Sequence, residues 1–138
     1  LQFHKGNGRM NQLTFQDDKR QFATGKFATL QFGLNLEFHA IAENWKAGNP
    51  PAADANGPGR PAYDVYGVGQ AGAVKVGAAW IKEAKRGDAI GTKFLTISID
   101  DPSFDAPLNL STWPTDAKGS VHTIRWERPR RAGANAAA

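Results

Sequence analysis

Val74 to Arg131 reads VKVGAAWIKEAKRGDAIGTKFLTISIDDPSFDAPLNLSTWPTDAKGSVHTIRWERPRR, and its period decides the fold. Val74, Val76, Ala78 and Trp80 alternate with Lys75, Gly77, Ala79 and Ile81. Leu95, Ile97 and Ile99 alternate with Phe94, Thr96 and Ser98. A period of two is that of a strand, whose successive side chains point to opposite faces. Between these runs KEAKRGDAIGT, with Gly87 and Gly91, predicts a charged hairpin connection. Asp100-Asp101-Pro102 stops the second strand, because Pro102 has no N–H to give a ladder. Pro107–Trp113 and Val121–Trp126 read as two more strands, with Asp116-Ala-Lys-Gly119 as the turn joining them.

Upstream the same grammar holds. Leu13–Phe15 and Arg20–Phe32 look extended. Leu30, Phe32, Leu34, Leu36 and Phe38 then share one face, against Gln31, Gly33, Asn35, Glu37 and His39. That predicts a long half-buried strand bent at Gly33. Ala40–Lys46 holds enough helix formers for one short helix at most. GNPPAADANGPGRP, from Gly48 to Pro61, is a loop by its Pro and Gly content, and Tyr63–Tyr66 resumes a strand. Short strands at close spacing with little helix predict an all-β domain of about six to eight strands. The expected architecture is an antiparallel meander closing to a barrel or a sandwich, with an OB-like barrel as one variant. Residues 1–12 read as a flexible leader, with Met10 a candidate start, 13–127 as the single β-domain, and 128–138 as a flexible basic and Ala-rich tail.

The chain has 138 residues, enough to bury a core unaided, and no cysteine, so neither disulfides nor zinc thiolates are available. With no apolar run of transmembrane length and no signal-peptide pattern, the expected compartment is the cytoplasm. The formal net charge of +4 is unevenly spread. Residues 1–69 carry seven Lys/Arg against six Asp/Glu, whereas residues 70–138 carry ten against seven. Without Arg128, Arg130 and Arg131 the total would fall to +1, so much of the basicity sits in one tail.

Reaction chemistry is poorly represented. Gly67-Val-Gly-Gln-Ala-Gly72 matches a dinucleotide fingerprint, but that motif must open a helix, and here a strand pattern follows. It reads as a hairpin turn, and no cofactor is expected. His4, His39 and His122 are dispersed, without metal-ligand spacing. Asp100, Asp101 and Asp105 have the oxygen ligands for a hard cation or an acid–base pair, yet DDPSFDAP is saturated with turn formers, and a structural turn is the better reading. No metal site and no enzyme is nominated.

What remains is a mixture of aromatic and basic residues. Trp80 precedes Lys82, Lys85 and Arg86. Trp126 stands between Arg125 and Arg128, with Arg130 and Arg131 beyond. Single-strand binders combine aromatic platforms with cations that follow phosphates, and duplex binders use the same cations on the backbone. Tryptophans in a small β-domain more often belong to the core, which is the expectation here. The candidate nucleic-acid contacts are Arg125, Arg128, Arg130 and Arg131, with Lys82, Lys85, Arg86 and Lys93 as a second patch. Trp126 and Trp113 are the candidate platforms.

VGAAW (Val76–Trp80), KFLTISIDDPSFDAPLNL (Lys93–Leu110) and IRWERPRR (Ile124–Arg131) together resemble a bacterial family, the domain of unknown function numbered 736. The resemblance is firm over the C-terminal half and general in pattern from Phe22 to Tyr66. It implies a small cytoplasmic protein of plasmids or integrative elements, without evident enzyme chemistry. The expected function is DNA binding, duplex or single-stranded, in the service of a mobile element, mainly through phosphate contacts. The competing expectation is a protein-interaction module, an accessory subunit or inhibitor, pairing or self-associating through the 30–38 strand.

Overall fold

Wherever apolar and polar residues alternate, the backbone is extended, and eight such stretches become eight strands. A computed structural model describes residues 11–30, 33–51, 59–70, 72–102, 104 and 106–126. The strands are β1 (Gln12–Phe15), β2 (Phe22–Ala28), β3 (Gly33–Ala40), β4 (Tyr63–Gly69), β5 (Gly72–Glu83), β6 (Lys93–Ile99), β7 (Leu108–Pro114) and β8 (Val121–Trp126). Each pairs antiparallel with its neighbour in sequence, and β8 closes on β1, giving an up-and-down barrel. The meander and its closure match the expected fold. Eight strands in next-neighbour order set it apart from the five-stranded OB variant. The leader through Met10, the loop centre 52–58, Phe32, Asp105 and everything from Glu127 onward lie outside the described residues, and with them Arg128, Arg130 and Arg131.

The interior is filled by the inward half of each alternation. Leu13, Leu36, Phe38, Tyr63, Val65, Ile97 and Leu110 are buried with at most 2% of their surface exposed. Burying each such side chain is worth about 1.5–3 kcal/mol, and closing the sheet removes the unpaired edges that an open one would leave. The outward positions are mostly polar, the reverse of a barrel that faces lipid. Among the described residues no helix is long and apolar enough to cross a membrane. One buried polar group is fully engaged. His122 Nε2 lies 3.2 Å from the Gly119 carbonyl, which can only accept, so this nitrogen carries the proton. Nδ1, 2.9 Å away, then accepts from the Thr112 hydroxyl.

Several expectations need correction. The long Leu30–Phe38 strand begins only at Gly33, and Leu30 is fully exposed in the β2–β3 connection. Leu34, Leu36 and Phe38 do face inward, as their spacing predicts. The short helix shrinks to one 3-10 turn, Ala42–Asn44. β3 is not a free edge: Gly33–His39 register with β2, and Leu36–Ala40 with β4. Strand addition through it would require opening the barrel.

The core expectation for Trp80 on β5 also fails. The β4–β5 register shifts between Val65 and Tyr66, where Val65 pairs Gly77 but Tyr66 pairs Lys75, leaving Val76 as an extra residue. Such a bulge exchanges inward and outward positions along the strand. Beyond it Gly77, Ala79 and Ile81 point inward, and Ala78, Trp80 and Lys82 point out. The fingerprint-like glycines form the β4–β5 hairpin, with Gly69 opposite Gly72.

Candidate nucleic-acid interface

The bulge in β5 puts Trp80 on the outside of the barrel. Trp80 registers with Thr96, Thr96 with Ser111 and Ser111 with Arg125, one outward row crossing four strands. In the adjacent row Lys82 registers with Phe94, and Trp113 with Thr123. The Phe94 and Trp113 rings, on neighbouring strands, stack at 4.0 Å between centroids and 11° between planes. This cross-strand pair is worth about 0.5–1.5 kcal/mol beyond the area it covers.

Between Trp80 on one side and Phe94 with Trp113 on the other runs a groove of about 460 Å³. Thr96, Ser98, Asn109 and Ser111 supply hydroxyl and amide groups along it. Ser111 points outward yet is only 2% exposed, which measures how deep the aromatic walls make the floor. Both indole N–H groups are engaged. Trp113 Nε1 donates to Ser111 Oγ at 3.3 Å, and Trp80 Nε1 to the Gly59 carbonyl at 3.3 Å.

Charge on this face has one sign. Among the described residues, the outward positions of β5 to β8 carry Lys75, Lys82 and Arg125 and no carboxylate. Lys75 is taken by Asp64 on β4, 3.0 Å away, and that hydrogen bond together with the carboxylate's charge raises the Lys75 pKa. Lys82 and Arg125 stand at opposite corners of the groove.

The structure divides the predicted contacts. Trp113 lines the groove, and Lys82 and Arg125 flank it, in register with Phe94 and Ser111. Lys85 and Arg86 lie past the end of β5, in the exposed β5–β6 connection. Lys93 registers with Glu83, its Nζ 3.9 Å from that carboxylate, and faces the barrel mouth rather than the groove. Trp126 registers with the buried Leu110, so it sits at the rim of the interior and is 46% exposed. Of the tail patch only Arg125 lies among the described residues; it shares the outer face of β5 to β8 with Lys82, whereas Lys85 and Arg86 lie in the β5–β6 connection and Lys93 at the mouth. In the ladder, Lys93 lies four residues along β6 from Ile97 and two strands from Trp126, about 13 Å along and about 10 Å across.

The tryptophans correct the core expectation, because Trp80 and Trp113 are outside and Trp126 is at the rim. Phe94 and the outward placement of Trp80 were missed. Their signal was an aromatic residue on the polar side of a strand, visible for Phe94 beside Thr96 and Ser98 and masked for Trp80 by the bulge.

These features define an eight-stranded meander barrel with an aromatic and cationic outer groove. The chain belongs to the family described as "Protein of unknown function (DUF736)", whose model matches residues 12–129 and so spans all eight strands. The likeness thus extends through the N-terminal strands as well as the C-terminal half. No curated protein and no solved structure matches the chain.

Proposed function

We propose that the protein binds single-stranded nucleic acid across the outer face of β5 to β8. Bases would stack at Trp80 and on the Phe94–Trp113 pair, while Lys82 and Arg125 take phosphates. The observation that carries this reading is the meeting of three aromatic side chains, a hydroxyl- and amide-lined floor and two flanking cations, with no carboxylate at the outward positions of these strands. Flat rings bind any base through its π-face, and the floor can accept or donate to base edges, so a groove of this composition suits an unpaired strand better than a duplex. Arg128, Arg130 and Arg131 follow Arg125 in sequence and would add phosphate contacts of a less geometric kind. In the mobile-element setting that the family resemblance implies, the target would be DNA.

The test is fluorescence anisotropy of a labelled oligothymidylate with the protein and with Trp113→Ala and Arg125→Ala. Losing a stacking platform should weaken binding by about 1–3 kcal/mol, roughly 5- to 150-fold. Losing one phosphate contact should flatten the salt dependence by about 0.7 in the log–log slope. Two folded variants that bind like the parent would refute the assignment.

A further inference from the structure

Because strands alternate in direction, four connections meet at one end of the barrel; their described residues are 16–21, 41–51 with 59–62, 84–92 and 115–120. There the interior is not filled to the rim. A pocket of about 550 Å³ opens among Phe15, Trp45, Tyr63, Ile81, Leu95 and His122, with Pro50 and Pro51 on one side. That volume falls within the range of small-molecule sites, and a small eight-stranded barrel has room for one ligand at most.

The walls are fixed in place. Trp45 Nε1 donates to the Ala62 carbonyl at 2.9 Å, and its ring meets Tyr63 edge-on at 5.7 Å. Tyr63 donates its hydroxyl to the Arg20 carbonyl at 2.8 Å, and Phe15 meets the His122 ring edge-on at 5.4 Å. The body of the pocket is therefore aromatic and ready-formed.

Its rim is mostly cationic. Lys19, Arg20, Lys93 and Lys118 line it with Asp116, and Lys93 has Glu83 3.9 Å away. Asp116 is turned into its own turn, accepting from the Ser120 amide and the Ser120 hydroxyl, each at 3.1 Å. Asp17 nearby is likewise spent on the amides of Gln21 and Phe22. Arg20 lies over the Phe15 ring at 5.5 Å and donates to the Lys118 carbonyl, which ties the β1–β2 and β7–β8 connections together around the opening.

We infer that the barrel mouth binds a small anion with a flat apolar body, an aromatic carboxylate, sulfonate or phosphate. The rings would enclose the body, and the rim lysines would hold the charged group at the water boundary. The site is separate from the groove on β5 to β8, although Phe94 borders both. It stands whether or not the groove binds nucleic acid.

The test uses the full chain, with naphthalene-2-sulfonate as the anion and 2-naphthol as its uncharged counterpart, followed by amide and indole NMR shifts. The sulfonate should bind about tenfold more tightly than the naphthol. Its largest shifts should fall on the Trp45 indole and on Phe15, Tyr63 and His122. Lys19→Ala with Lys118→Ala, two exposed changes, should weaken it about fivefold, and Lys26→Ala, on the far outer face, less than about twofold. Absent shifts, shifts centred on Trp80 and Trp113, or equal binding of both probes would overturn the inference.

Discussion

At Gly77 the β6 backbone leaves no room for a side chain, and adding one methyl group there should cost more than any exposed substitution in the barrel. It points inward, in register with Val65 on β4 and Ile99 on β6. A Cβ at this position would overlap the Ser98 carbonyl oxygen, and would lie 2.9 Å from the Ser98 carbonyl carbon and 3.0 Å from Ile99 Cα. All three are backbone atoms of a paired strand, so no side chain can turn aside. The strands must part by on the order of an ångström, stretching the ladder bonds beside Val76 and Gly77. Overpacking costs about 1–3 kcal/mol, and each ladder bond lost about 1 kcal/mol more, so Gly77→Ala should destabilise by about 3 kcal/mol. For a chain of this size that is roughly a 10 °C fall in melting temperature. Gly67→Ala is the matched control. Its Cβ would meet only the Val76 methyl groups, at 3.6 and 3.9 Å, and the loss of chain entropy in the unfolded state should leave it neutral or stabilised by about 0.5 kcal/mol. Thermal denaturation followed by far-UV circular dichroism reads both. A Gly77→Ala protein melting within about 2 °C of the parent, or a Gly67→Ala protein falling equally far, would refute the close-approach argument.

Tyr63→Phe removes the hydroxyl that bonds the Arg20 carbonyl at 2.8 Å and should cost about 1 kcal/mol, read as a lower urea midpoint at unchanged slope. Burial lowers the His122 pKa from its ordinary 6.5, with the Arg20 charge adding to the effect and the Gly119, Thr112 and Asp116 contacts opposing it. The folded protein thus keeps His122 neutral where the unfolded chain takes up a proton. Stability should therefore be fully present above about pH 6.5 and decline as pH falls below it, levelling once the folded pKa is passed. His122→Gln, which can still donate to Gly119 and accept from Thr112, should remove this part of the slope between urea midpoints at about pH 7.5 and about pH 5. A slope unchanged by that substitution would assign the dependence to other groups. Trp80→Ala should weaken oligothymidylate binding as Trp113→Ala does, about 5- to 150-fold, in the same anisotropy assay.

Much of the barrel was legible because its alternation is local. Leu34, Leu36 and Phe38 announce an inward face, and Pro102 and Gly119 mark the ends of runs. The β5 bulge was not legible. Val74, Val76, Ala78 and Trp80 form an unbroken apolar series, and only the Val65–Gly77 register, a contact with another strand, shows that Val76 is extra. That one residue put Trp80 outside and turned a core expectation into a surface one. Trp113 was named as a platform, but its partner was not legible. Hydrophobicity does not distinguish an indole inside a barrel from one stacked on Phe94 outside it, and the partner is on the next strand. The mouth had no local signal at all, since Phe15, Trp45, Tyr63 and His122 meet only when four connections share one end.

The proposed function is tested most directly by comparing the full chain with one ending at Glu127, each titrated with single-stranded and duplex oligonucleotides over a range of salt. If the groove is the site, the shortened chain still binds and still prefers the single strand. Its salt slope would be near 1.4, as expected for two phosphate contacts, and smaller than that of the full chain. If the shortened chain binds neither form, or if both chains prefer duplex, the site is the arginine tail or another surface, and the groove on β5 to β8 is not what recognises nucleic acid.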